Sequence, residues 1–260
     1  MKILCRARIL WILFLLYNKL CTAGPVVFPV GETLSYKVSW SVFRLGTLKI
    51  TVVDTLRMDD RRVYHARLNI DSNPLLFFIN RHSEFNTYFD DDLCTHLFRS
   101  QDAVDGINYN TEYHFDYRDS VLSIDMTDMN DPDKRIQRKK PFHDRVLDGT
   151  SLLYYARLHA GETRADTTFF LFAGGFVPTY FEFRGEGKPI KIHGVEKKLK
   201  TGFVEGLIPG EGIAGLSGRF KGWFTVQNQK IPLKAQLKVF IGHVNLELES
   251  WKNCMLGTGP

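Results

Sequence analysis

Cysteine is scarce in this chain. Of its four cysteines, Cys5 and Cys21 fall within the first two dozen residues, which leaves Cys94 and Cys254 for the body of the protein. Two cysteines do not make a disulfide framework. They either form a single bridge, which an exported chain permits, or stand as two partly buried thiols. Excess charge is missing as well. Lys2, Arg6, Arg8 and Lys19 supply four of the 34 basic residues, and without them 30 bases face 29 acids. A body so close to neutral makes no strong electrostatic case for nucleic acid or an anionic membrane surface. Long apolar runs are also absent. Ile9 to Tyr17 is nine apolar residues, whereas a bilayer-spanning helix needs about 20. No linker, internal repeat or low-complexity tract divides the chain.

Catalytic and metal-binding signatures are lacking too. Gly210-Glu211-Gly212-Ile213-Ala214-Gly215 spells the dinucleotide fingerprint. A β pattern follows it where that fingerprint requires a helix, so a flexible glycine loop is the better reading. Asp125, Asp128, Asp131 and Asp133 do not have calcium-loop spacing, because Pro132 stands where an oxygen ligand belongs. Ser217 lies in Gly-Leu-Ser-Gly, which is not a nucleophile elbow. The histidines are scattered, with no pair at ligand spacing on one element. We therefore expect no enzyme, no cofactor and no metal.

What is present begins with a leader. A basic segment, an apolar run and then small residues at Cys21 and Ala23 match a secretory signal peptide over residues 1–23. Residues 24–260 then form a single β-rich domain without a transmembrane segment, exported to the periplasm or cell envelope. Most of it alternates polar and apolar residues with period two. Leu34, Tyr36, Val38 and Trp40 alternate with polar neighbours, and strands are expected at Leu45–Asp54 and Arg62–Asn69, continuing the same meander. Further strands are expected down the chain, including one at Ile190–Leu199. Pro232 should begin a strand or sit at an edge, since it cannot donate to a ladder. Leu75 to Ile79 is five apolar residues in a connection, and Phe176-Val177 lies in a probable loop beside Gly174-Gly175.

One stretch alone has helical period and punctuation, Leu147 to Ala160. Asp148 suits the N-cap and Gly161 a left-handed C-terminal cap. Leu152, Tyr155, Ala156 and His159 share one face, and Arg157 is the one obviously polar break. The chain is therefore expected to be mainly β: a curved antiparallel sheet or incomplete barrel, with one central helix packed on its concave face.

Gly31-Glu32-x-Leu34-x-Tyr36-x-Val38-x-Trp40 followed by Gly46 resembles the opening of a bacterial exported family, domain of unknown function 3108. Asp148-x-x-Ser151-Leu152-Leu153-Tyr154-Tyr155-x-Arg157 resembles its central helix. Gly222-Trp223-Phe224, Lys230-Ile231-Pro232 and Gly242 resemble its closing strands. The likeness runs from Gly31 to Trp251, and departs from the family at Val226-Gln227-Asn228, where members usually carry Ser-Asp-Asp-like residues. It implies an exported, mostly antiparallel β protein, and more distantly one similar to the half-barrel lipoprotein carriers. The functional expectation is binding of a lipid, another apolar ligand or an envelope partner segment. Leu76, Phe77, Leu152, Tyr155, Phe176 and Trp223 are the candidate contact residues. The competing expectation is an envelope assembly factor with a filled core and no small ligand.

Overall fold

A computed structural model describes residues 28–256, apart from 59, 77–79, 105, 173, 210–215, 228 and 240. The leader, Phe77, the turn at Asn228 and most of the glycine loop lie outside the described residues. The first eight strands are β1 (Thr33–Trp40), β2 (Phe43–Met58), β3 (Arg61–Ser72), β4 (Arg81–Asp90), β5 (Thr95–Val104), β6 (Ile107–Asp116), β7 (Val121–Asp128) and β8 (Asp131–Pro141). They are followed by β9 (Val146–Leu147), the helix α1 (Gly149–His159), β10 (Thr163–Phe172) and β11 (Gly175–Ile190). The chain ends with β12 (Leu199–Leu207), β13 (Leu216–Thr225), β14 (Pro232–Val239) and β15 (His243–Lys252).

All fifteen strands form one sheet, in the order β8 to β1 and then β15 down to β9. Two meanders are thus joined where β1 pairs antiparallel with β15, Trp40 opposite Val244 and Leu34 opposite Trp251. The sheet curves but does not close into a barrel, and β8 and β9 are its edges. Side chains occupy the gap between those edges. Phe142, Tyr113, Phe115, Leu122, Ile124, Val146 and Leu171 form a second apolar cluster there, and Lys140 Nζ reaches the carbonyl of Gly174 at 2.7 Å.

The main core lies inside the curve, against α1. Asp148 caps the helix, accepting from the N–H groups of Thr150 and Ser151, while Ser151 Oγ accepts from the Asp148 N–H in return. Gly161 takes φ +87 just beyond the last turn. That turn rests on β12 at Gly202, where an added Cβ would stand 2.5 Å from the Gly161 nitrogen. Tyr154 packs edge-on to Phe28 with centroids 4.6 Å apart. Tyr155 packs on Phe181 at 5.2 Å.

Two expectations are corrected and one is refined. Arg157, the polar break in the helix, is itself buried, at 1 % exposed. Its guanidinium donates to both Glu32 carboxylate oxygens, at 2.5 and 2.7 Å, and its Nε donates to Gln229 O at 2.7 Å. Residues 191–198 are a connection rather than a strand: irregular pairing at Gly187–Ile190 ends β11, and Gly194 adopts φ +76. Cys94 and Cys254 are free thiols. Cys94 follows the β4–β5 turn beside Asp90 and Arg145, whereas Cys254 lies beside Glu32 and Arg157, so the bridge is not formed.

The buried pair generates a stability prediction. Arg157→Met leaves Glu32 charged and unpaired in the core, and should cost about 3–5 kcal/mol. Adding Glu32→Gln to Arg157→Met should recover part of that loss in urea unfolding. Strictly additive losses would mean that the two side chains do not act as a pair.

Candidate functional site

Strand pairing fixes which side chains line the inside of the curve, and burial along those rows is graded. On β1 the inward residues run from Leu34 and Tyr36, 1 % and 4 % exposed, through half-buried Val38 to Trp40 at 36 %. The neighbouring strands repeat the trend. Val52 and Ile50 are buried and Leu48 is half-buried; Leu248 is buried and Leu246 half-buried; Phe224 is buried and Phe220 half-buried. On β3 the sequence runs from Tyr64 and Ala66, both buried, to Leu68 and Ile70, both half-buried. The half-barrel therefore has a filled floor at the α1 end and an open, apolar mouth at the other. The connections β1–β2, β3–β4, β12–β13 and β14–β15 all leave the sheet on the mouth side.

A polar station interrupts this wall on β4 and β5. Arg81 donates to both Asp102 oxygens at 3.1 Å and to Ser83 Oγ at 3.0 Å, and Ser83 in turn donates to Asp102. Ser83 pairs with Ile70 on one side and Asp102 on the other, so the cluster continues the inward row. An apolar wall beside one hydrogen-bonded charge pair suits an amphipathic ligand better than a purely apolar one. Three open grooves have volumes of about 490, 870 and 480 Å³, and the last of them includes Ser83 and Asp102 in its lining. The largest is lined mainly by one face of the sheet, with Tyr180, Glu182, Glu205 and Lys221, and also includes Phe181, Gly206 and Phe220 of the inward row.

The expected contact residues do not converge. Leu76 is half-buried in the β3–β4 connection at the mouth. Leu152 is half-buried on α1 and Tyr155 is buried at 3 %, both packed into the floor. Tyr155 also donates its hydroxyl to Asp166. Phe176 packs toward Phe142 at 6.4 Å, in the gap between the sheet edges. Trp223 turns away from the row that holds Gly222 and Phe224 and lies 5.2 Å from Phe203, with Lys188 Nζ over its ring at 5.4 Å. The graded row of Val38, Leu48, Ile70, Phe220 and Leu246 escaped detection, because alternation reveals a face but not how exposure changes along it. Arg81, Ser83 and Asp102 carried no signal beyond ordinary strand polarity.

The buried titratable groups are bound up in structure. Asp90 accepts from His96 Nε2 at 2.9 Å, from the Cys94 N–H at 3.0 Å and from Arg61 at 3.0 Å. Burial alone would raise its pKa, but these bonds outweigh it and hold the carboxyl below its usual value. Burial pushes the Cys94 thiol up, and that of Cys254 to about 11, the opposite of nucleophile activation.

The sequence profile described as Protein of unknown function (DUF3108) matches residues 35–249. The chain belongs to this family. The match spans the sheet from β1 to β15, with α1 inside it. Among solved structures, the chain is similar to a beta-barrel-like protein of domain of unknown function DUF1849 from Brucella abortus. Identity is 12 %, coverage is 87 % of this chain and 98 % of that one, and the TM-score is 0.56. At such identity the likeness concerns the fold alone. A Parabacteroides distasonis protein, described as "a putative lipoprotein", aligns at 8 % identity over 86 % of this chain and 96 % of that one, with a TM-score of 0.30. No curated protein sequence matches the chain.

The helix cap yields a pH prediction. Burial, the largest influence, raises the Asp148 carboxyl from 3.8 to about 6, against four hydrogen bonds that favour its charged form: from the Ser151 and Thr150 N–H groups and the Thr87 and Thr95 hydroxyls. A carboxyl whose folded pKa lies above its unfolded one binds protons more readily when folded. Its contribution to stability is greatest below the unfolded value and is lost as pH rises. Relative to Asp148→Asn, which keeps a cap, the wild type should lose stability between about pH 4 and about pH 6. Parallel unfolding midpoints for the two proteins across that range would refute this.

Proposed function

We propose that the chain is an exported protein of the cell envelope that binds a ligand with an acyl chain in the mouth of its half-barrel, and that it catalyses no reaction. The observation that carries this reading is the inward apolar row, whose exposure grows from the floor to the mouth. Each Å² of apolar surface that a chain covers there contributes roughly 25 cal/mol. Arg81, Ser83 and Asp102 stand where a polar head would rest. The filled floor at α1 would set how deep the chain reaches. It also supports a second reading, an assembly factor with no small ligand. Export rests on the leader pattern of residues 1–23.

Two measurements test these points. N-terminal sequencing of the protein recovered from its own host should begin at or near Gly24. Intact Met1 on a cytoplasmic protein would remove export from the proposal. Separately, the delipidated protein should displace-bind a fluorescent fatty-acid probe saturably. Val38→Asp and Leu246→Asp, both in the row, should lose that binding while retaining a cooperative unfolding transition. If folded wild type takes up no probe, the assembly reading replaces the ligand reading.

A further inference from the structure

Antiparallel neighbours such as β11 and β12 are ordinarily joined by a short hairpin loop. Here the chain runs through residues 191–198 between them. Ile190, Ile192 and Leu199 are buried and anchor this connection. With β1, β14 and β15 it bounds a groove of about 490 Å³, an ordinary size for a small-molecule site. The groove lies on the outer face of the sheet. Lys37, Glu247, Lys234 and Trp223 stand in register across β1, β15, β14 and β13, opposite in direction to the inward row of Tyr36, Val38 and Leu246.

Charge in this groove stays one-sided after every ion pair is counted. Five lysines line it against two carboxylates, Glu247 and Glu249. Arg44 already occupies Glu249, with two contacts of 2.9 Å. Lys37 and Lys234 share Glu247, at 3.3 and 2.6 Å. Among the described residues, Lys188, Lys191 and Lys198 have no carboxylate partner. The flanking acids Glu186 and Glu196 are matched by Lys197 and Lys200, so they do not offset the surplus. Lys188 is also held in position. Its carbonyl accepts from Thr201 Oγ1 at 2.8 Å, and its ammonium lies 5.4 Å over the ring of buried Trp223. Lys191 falls between the two buried isoleucines and is left exposed.

A cleft lined by one sign of charge focuses its field on a counter-ion. One carboxylate would leave most of these lysines unmatched, so the surplus suits an anion of more than one charge. Lysine ammonium groups are point charges that bind phosphate, whereas a planar carboxylate is better met by the arginine fork. We propose that the groove between the β11–β12 connection and the outer face of β1, β14 and β15 binds a phosphate-bearing ligand of more than one negative charge. Lys188, Lys191 and Lys198 are its unpaired contacts, and Lys37 and Lys234 reach it from the sheet. The site lies on the opposite face from the mouth and does not depend on the mouth holding a ligand.

The test is isothermal titration calorimetry of the full chain with inorganic pyrophosphate, and separately with phosphatidylcholine vesicles carrying phosphatidic acid. Pyrophosphate should bind saturably at a single site, and acetate more than about tenfold more weakly. A Lys191→Glu, Lys198→Glu variant should lose more than about tenfold in pyrophosphate affinity. Both side chains are exposed, so urea unfolding and fatty-acid probe binding should be unchanged. An Arg138→Glu, Lys139→Glu variant makes the same change of charge on the β8 edge and should keep the wild-type affinity. The basic residues of the leader are present in every variant, so the difference between the two reports the groove. Vesicle binding that pyrophosphate displaces identifies the phosphate as that of a lipid headgroup. Pyrophosphate binding without vesicle binding identifies a soluble phosphate. Wild type that binds neither probe would overturn the proposal. So would equal affinity for acetate, vesicle binding that pyrophosphate does not displace, or equal effects of the two double variants.

Discussion

The architecture depends on one buried ion pair. Arg157 and Glu32 are each 1 % exposed, and they join the helix to the segment that enters β1. Through Gln229 the same guanidinium also holds the β13–β14 turn. The Phe28 ring lies 5.1 Å beneath it. A charge removed from water is costly unless it is paired and hydrogen-bonded. Here two guanidinium nitrogens meet two carboxylate oxygens and a third meets a carbonyl. That satisfaction lets a polar side chain occupy the centre of a helix face that is otherwise apolar. The pair also gives the helix a fixed position relative to both meanders.

From that anchor the division of the half-barrel follows. At the N-terminus of α1, Asp148 ties the helix to Thr87 on β4 and Thr95 on β5. At its C-terminus Lys230 reaches the Leu158 carbonyl at 2.6 Å. The helix thus spans the two meanders at one end of the sheet and fills that end. It is too short to fill the rest, so inward side chains beyond it keep part of their surface exposed. An open sheet normally has two vulnerable edges. Here β9 is two residues long, and β8 carries Lys134, Arg135, Arg138, Lys139 and Lys140. Both devices discourage pairing with another chain, and the cluster around Phe142 covers much of the gap. Part of the apolar surface left uncovered lies at the mouth and its hairpin tips, and part at the other end, at Val30, Val226 and Met255.

Sequence reasoning recovered the helix, its N-cap, its glycine stop and most of the strands along the chain, because these depend on neighbours within a turn or a hairpin. Pro232 at the start of β14 was legible for the same reason: proline constrains its own backbone. The error at 190–199 arose where local alternation continued through residues that the irregular pairing of β11 and β12 removed from the ladder. The candidate site was legible only in part. Leu76 lies at the mouth and Leu152 and Tyr155 on the helix that forms the floor, as the reading of the sequence had them, whereas Phe176 lies in the gap between sheet edges and Trp223 on the other face.

What the sequence alone determined was which face of each strand is apolar, where the single helix begins and ends, and the family to which the chain belongs. Those properties follow from side-chain period and backbone preference, which are local. Only the tertiary structure decided that Arg157, the polar break in the helix, is buried in an ion pair, since its partner Glu32 lies 125 residues away. Only the tertiary structure decided where apolar faces are covered and where they stay open. Burial depends on how far a short helix reaches across a wide curved sheet, and no local pattern of residues encodes that distance.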